Sequence, residues 1–273
     1  MADPRERWFI DDLEVTDRLV HDLETFDGLY GSPPLEGSNV AVPQRDGQIW
    51  VPKRLGAGQF TLRLWMAGDT RPEVDENWER LLRHAVKRHR LVRFERHLTD
   101  GGVRECYGEV TGRISPTPIG QLGVRAQIDV LVPSGVWQDT TDTNTGLIYL
   151  SPGTTAAVNR MVDLPGFTGS SAPLTALRAT ITGMATNVQL TCPDTGGWFR
   201  YDSSLDVGAT LTVNAATDSV TGPNLDRWRY TGPYMFEVIP PDNATTAPRI
   251  QVTATLADHN ATLRIVGRRA YQV

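Results

Sequence analysis

The chain has 273 residues, 40% of them hydrophobic and 22% charged, and a net charge of −5. That length supports two domains with full cores, and the mild acidity gives no reason to expect nucleic acid or an anionic membrane as a ligand. No apolar run approaches the roughly 18 residues that span a bilayer. The two cysteines, Cys106 and Cys192, suggest neither a disulfide framework nor a cysteine-based zinc site. The opening MADPRERWFIDDLEV is acidic and has no apolar stretch, so a secretory signal is not expected, whereas synthesis in a reducing cytoplasm is.

In chain order, residues 5–27 alternate loosely through Trp8, Ile10, Leu13 and Val15, then Leu19, Leu23 and Phe26. They predict a strand, a turn at Thr16-Asp17 and a second strand. Asp11, Asp12, Glu14, Asp17, Asp22, Glu24 and Asp27 fill the gaps, a negative surface suited to arginine in this chain or a neighbour. Gly28 to Gly37, with Pro33-Pro34, is a loop. Val40 and Val42, then Ile49, Trp50 and Val51, flank Gln44–Gln48. The Asp46-Gly47 pair there is a hairpin signal, because glycine tolerates positive φ. Phe60, Leu62, Leu64 and Met66 alternate with polar partners as a half-buried strand does.

Asp75 to His97 carries the one long helical signal. Trp78, Leu81, Leu82, Ala85 and Val86 make an apolar stripe of period 3.6. The spacing predicts a helix over 75–90, with Asp75 as N-cap and Trp78 where a capping box would need Glu. Glu76 and Glu79 lie near its start and Arg83, Lys87, Arg88 and Arg90 crowd its end, the order that suits the helix dipole. The basic face reads either as solvated, on a core-packing helix, or as lining a pore or meeting a partner. From Leu91 the period changes to that of a strand, which turns at Asp100-Gly101 into another at Val103–Arg113. Pro116 and Pro118 break the pattern, and Val124 to Val132 alternate again.

The composition shifts after Trp137. Of the 27 Lys and Arg residues, 18 lie in 1–137 and 9 in 138–273, and the 32 acidic residues split 21 to 11. This places a domain boundary between Trp137 and Thr145 and gives domains 1–137 and 138–273. The second half predicts a β-sandwich of short strands at 146–150, 177–182, 187–192, 198–201, 210–213, 228–230, 234–238, 249–257 and 261–270. The last two are expected to form a hairpin over Asp258-His259-Asn260.

No catalytic, cofactor-binding or metal motif emerges. His84 and His89, five apart on a helix, do not share a face, and His259 sits in a turn. There is no nucleophile elbow, P-loop or dinucleotide fingerprint. Trp198, Trp228, Tyr230 and Tyr234 either fill the sandwich core or, if exposed, stack on a sugar ring.

The order of elements resembles a known family. VLVPSGVW at Val130–Trp137 closes a β-domain with one inserted helix. A Thr/Gly-rich sandwich follows, with FRYD at Phe199–Asp202, LDVGATLTV at Leu205–Val213, MFEVIPPDN at Met235–Asn243 and ATLRIVGRRAY at Ala261–Tyr271. This pattern is similar to the distal tail proteins of long-tailed, non-contractile bacteriophages, across nearly the whole chain. The doubled proline Pro240-Pro241 and the spacer Ala244–Pro248 lengthen one loop relative to that pattern.

The resemblance implies a mainly β fold: an N-terminal tail-tube-like β-barrel or sheet with one helix, and a galectin-like C-terminal sandwich. It implies a structural protein of the virion tail tip, made in the host cytoplasm, with no reaction and no cofactor. It further implies a homohexameric hub ring joining the tail-tube protein to the tail-associated hub protein and the receptor-binding apparatus, with DNA passing through unbound. On the residues themselves, the hairpin at Arg45, Asp46, Trp50 and Arg54 is the expected ring contact. Asp11 and Asp12 are the expected acidic lining of the channel, since a cationic lining would retard DNA. The alternatives are a carbohydrate-binding module on the tail, and a tube or baseplate subunit of another tail type.

Overall fold

The computed structural model describes residues 6–28, 32–41, 48–49, 51, 53–232 and 234–273. Its chain divides into two compact units. Unit 1 runs up to Thr140 and regains Tyr271–Val273, and unit 2 is Thr141–Ala270. Unit 2 is thus an insertion, and the closing residues, expected in the second domain, belong by their hydrogen bonding to the first.

Unit 1 contains strands β1 (Arg7–Ile10), β2 (Leu13–Glu14), β3 (His21–Asp27), β4 (Leu35–Glu36), β5 (Val40–Ala41), β6 (Gln48–Ile49), β7 (Arg54–Leu55) and β8 (Gly58–Ala67). Helix α1 (Arg71–Ala85) follows, then β9 (Val92–His97), β10 (Val103–Thr111), β11 (Thr117–Ile119), β12 (Gly123–Val132) and β13 (Val136–Asp139). The main sheet has the order β2-β1-β9-β10-β12-β8-β3. Strand β10 is its corner. It pairs with β9 from Val103 to Gly108, then with β12 from Glu109 to Thr111. At the changeover a Cβ on Gly108 would lie 2.6 Å from Val130 Cγ1 and 2.9 Å from the Leu131 carbonyl, so only glycine permits this approach.

Of the expected barrel or sheet, unit 1 has the open sheet. Among the described residues no ladder joins β3 to β1 or β2, and the two ends of the sheet meet through side chains instead. Trp8 of β1 stacks on Phe26 of β3, and Trp137 and Phe60 pack beside Trp8 with ring centroids 5.7 and 6.3 Å away. Alternation builds this core: Phe60, Leu62, Leu64 and Met66 of β8 and Val124, Ala126, Ile128, Val130 and Val132 of β12 are all buried.

Helix α1 crosses between the two ends. Asn77 Nδ2 donates to the Ala67 carbonyl at the end of β8, and the segment after the helix is held to the β1–β2 turn. The helix starts and stops earlier than its apolar stripe predicted. Its N-cap is Thr70, whose hydroxyl accepts from the Glu73 amide while Glu73 accepts from the Thr70 amide, a full capping box. Buried Val74 extends the stripe one turn back from Trp78, and Pro72 fits the first turn. Val86 is already extended and half-exposed, so His89 lies beyond the helix that holds His84.

Two other expectations are corrected in unit 1. The first turn falls at Asp11-Asp12, where Asp11 has φ 49°, a conformation Asp tolerates better than most residues. Asp17 caps the next segment instead, accepting from the amides of Leu19, Val20 and His21. Pro118 sits inside β11, which among the described residues pairs only with β12 and so tolerates a missing donor.

Unit 2 contains β14 (Thr143–Asn144), β15 (Ile148–Tyr149), β16 (Ala156–Asp163), β17 (Arg178–Thr182), β18 (Ala185–Thr191), β19 (Trp198–Leu205), β20 (Thr210–Asn214), β21 (Ser219–Thr221), β22 (Trp228–Thr231), β23 (Arg249–Ala257) and β24 (Thr262–Gly267). They form two antiparallel sheets, β14-β24-β17-β20-β21 with β15 beside β24, and β16-β23-β18-β19-β22. Buried faces come from both, including Ile181, Leu211 and Ile265 from one and Val188, Phe199, Tyr201 and Val252 from the other. The expected hairpin over 258–260 is absent: β23 and β24 lie in different sheets, and the turn carries the chain from one to the other. Residues 234–238 make only one bridge, Leu174 with Val238. Strand β25 (Ala270–Gln272) then pairs with β13 in unit 1.

Candidate functional site

Two ladders stand apart from the main sheet of unit 1: β4 with β7, and β5 with β6. Val40 and Ile49 are directly opposite each other and are 54% and 58% exposed. An isolated two-stranded ladder is marginal in water, and here it shows its apolar pair to solvent. Arg54 is exposed and donates from Nε to Glu36 Oε2 at 3.2 Å. Arg45, Asp46 and Trp50, expected beside it in the ring contact, lie outside the described residues.

The two expected lining carboxylates differ sharply. Asp11 is buried. Arg90 donates two hydrogen bonds to it at 3.0 and 2.7 Å, the Arg93 amide adds a third, and Lys87 Nζ lies 3.6 Å away. Burial pushes its carboxyl up, but these donors outweigh burial and hold it below the usual carboxylate range. Asp11 therefore closes a turn and presents no free charge. Asp12 is exposed, with Arg93 at 3.5 Å. Much of the remaining acidic surface is also answered within the chain, Glu14 by Arg7, Glu24 by Arg125 and Asp27 by Arg63.

Burial pushes the His21 imidazole down, against the pull of Asp17 3.3 Å away. Both cysteines are buried, and burial pushes the Cys106 thiol well up, away from reactivity. Among the described residues no group of three or more His, Cys, Asp or Glu could hold a metal ion, and no helix is long and apolar enough to cross a membrane.

The aromatics of unit 2 separate by face. Trp228 stacks on buried Phe199 and, 6.2 Å away, on Tyr230, which is 40% exposed at the rim. Trp198 points the other way, onto the outward face of the β16–β22 sheet. Sequence alone did not separate them, because which tryptophan faces inward depends on register.

No family model matches the sequence, and no curated protein matches it. Among solved structures it matches the Dit protein of SPP1, described as a paradigm of the hub adsorption apparatus in phages that infect Gram-positive bacteria. The TM-score is 0.58 at 12% identity, over 97% of this chain and 99% of that one. The chain has the Dit fold. Chains of the phage P2 baseplate in its activated conformation, with Ca and with Sr, match at TM-scores of 0.39 and 0.42 and 11% identity, each over 96% of this chain and 98% of that one. The Dit fold thus spans both units, from the open sheet with its crossing helix to the inserted sandwich.

Proposed function

We propose that this chain is a structural subunit of a phage tail tip, assembling as a six-membered hub ring at the distal end of the tail tube. The observation that carries this reading is the likeness to the SPP1 Dit protein, which runs end to end in both chains. The open sheet supports it. A sheet with free ends and a small apolar ladder exposed beside it is built for pairing with a neighbour, and a head-to-tail contact that closes makes a ring. The β5–β6 ladder bearing Val40 and Ile49, the β4–β7 ladder bearing Arg54, and the sequence neighbours Arg45, Asp46 and Trp50 are the ring contact in this reading. Its other partners are the tail-tube protein, the tail-associated hub protein and the receptor-binding apparatus. Unit 2, a galectin-like sandwich, faces the host. DNA passes through the ring without specific binding, and the protein performs no reaction.

The test is the particle mass of the purified protein, alone and with its tail-tube protein, together with negative-stain images. Six copies of 30.1 kDa give about 180 kDa and a ring with a central hole. A monomer under both conditions overturns the reading. Asp12 is the exposed acidic residue proposed for the channel, with Asp11 bracing its turn. Asp12→Lys then slows DNA ejection from virions, and an unchanged rate removes it from the lumen.

A further inference from the structure

Unit 2 carries a cleft of about 560 Å³, inside the range of small-ligand sites. Met161, Ile239, Pro240 and Pro248 give it apolar walls, and Asp194 and Asp242 stand on its rim. Met161 is 46% exposed there, an apolar side chain on an outward face. The cleft runs on into one cross-strand row. Met161 lies opposite Gln251, Gln251 opposite Thr191, and Thr191 opposite Trp198. Directly paired residues share a face, so the half-buried Trp198 ring ends an outward-facing row that begins at Met161 on the cleft, about 14 Å away across three strand spacings.

The neighbouring row is also amide and hydroxyl: Asn159, Thr253 and Gln189, then Arg200. Its amides are already oriented. Gln251 donates to Asn159 and Gln189 donates to Thr191. The cations here are answered from within. Asp202 pairs with both Arg200 and Arg229, and Asp163 pairs with Arg249. Asp194 and Asp242 have no cation in ion-pair reach among the described residues. The cleft and the row together therefore combine an aromatic plate, fixed amides and hydroxyls, two carboxylates outside any ion pair, and a cation, Arg249, already paired with Asp163. Polyanions are repelled by such a surface. A polyhydroxylated, uncharged chain fits it, with apolar ring faces on Trp198 and Met161 and hydroxyls donating to the carboxylates.

We infer that the cleft at Met161 and the outward-facing row running from it to Trp198 form a binding site for a neutral oligosaccharide. The site is built by unit 2 alone and does not depend on ring formation.

The experiment titrates the full chain with maltohexaose, cellohexaose, chitohexaose and a galactan hexasaccharide, with a heparin hexasaccharide as the anionic comparison. At least one neutral sugar is expected to bind saturably, and the heparin fragment is not. Trp198→Ala weakens that binding about tenfold or more and Trp198→Phe weakens it less, while circular dichroism and a cooperative melt report that both variants keep the fold. The double variant Asp194→Asn with Asp242→Asn also weakens the neutral ligand. No neutral binding up to about 5 mM, equal affinity in Trp198→Ala, or preference for the heparin fragment would each overturn the assignment. Particle mass on the same samples reports ring formation separately, so the two readings fail independently.

Discussion

Trp8 and Phe26 stack with ring centroids 5.8 Å apart and planes 27° from parallel, joining two strands that share no backbone hydrogen bond. The contact stands where a closed barrel would have a ladder. It holds the curl of the sheet while leaving the outer edges of β2 and β3, among the described residues, without a ladder between them.

Trp8 should therefore be among the costliest positions in unit 1. It is fully buried, with Phe60, Trp137 and the Arg96 guanidinium against it. Trp8→Ala should destabilise by about 3–5 kcal/mol. Trp8→Phe should cost clearly less, since the buried Nε1 has no hydrogen-bond partner to lose. Chemical denaturation of the three proteins makes the comparison, and equal losses would mean that the indole is not a packing centre.

Gly108→Ala tests the corner of the sheet. The new methyl meets a valine side chain that can move and a carbonyl that is fixed in the ladder. A loss of about 2 kcal/mol is expected. Adding Val130→Ala should not restore it, because the Leu131 carbonyl remains.

Tyr271 tests the return of the chain to unit 1. Its ring is buried, and the Arg104 guanidinium lies over it at 3.5 Å. Tyr271→Ala should lower the stability of unit 1 by about 3 kcal/mol. Hydrogen exchange should show faster opening in β10 and β13 and unchanged protection in β17 and β18. A uniform change across both units would contradict the assignment of these residues to unit 1.

Glu237 gives unit 2 an unusual pH response. Burial pushes its carboxyl up, partly opposed by a hydrogen bond from Thr195. A raised pKa means the folded state holds the proton more tightly. The stability it contributes is complete below about pH 4.5 and is lost as pH rises through the raised value. Glu237→Gln should raise the Tm of unit 2 at neutral pH and flatten this loss. His21 acts in the opposite direction on unit 1. Its pKa is depressed, so its contribution is present above about pH 6.5 and falls away as pH drops toward the folded value. A pH series of melting curves on wild type and Glu237→Gln separates the two.

Periodicity made some of this legible. The alternation in β8 and β12 gave two central strands, and the stripe from Trp78 gave the helix. The charge thins after Trp137, and the chain leaves unit 1 at Thr140. What could not be read depends on distant partners. Asp11 looked like one surface acid among seven, yet its fate is set by Arg90, 79 positions away. The turn at 258–260 has the same chemistry whether the next strand returns beside β23 or enters the other sheet. Strand β16 was missed because the position between buried Val158 and Val162 on their face is Arg160, and exposed Met161 sits on the other, so the apolar alternation is broken. The capping box was in the sequence as Thr70 and Glu73, but counting back from Trp78 stopped one turn short. Trp198 and Trp228 were named together, and only their register puts one outside and the other in.

Unit 2 leaves the sheet of unit 1 after β13 and re-enters it at β25, and those two strands are neighbours. The two units are therefore joined by two covalent crossings. A protease that severs one crossing leaves unit 2 tethered by the other, and a pull on unit 2 is divided between adjacent strands of one sheet. Double suspension is a mechanical safeguard against losing unit 2 to a single cut.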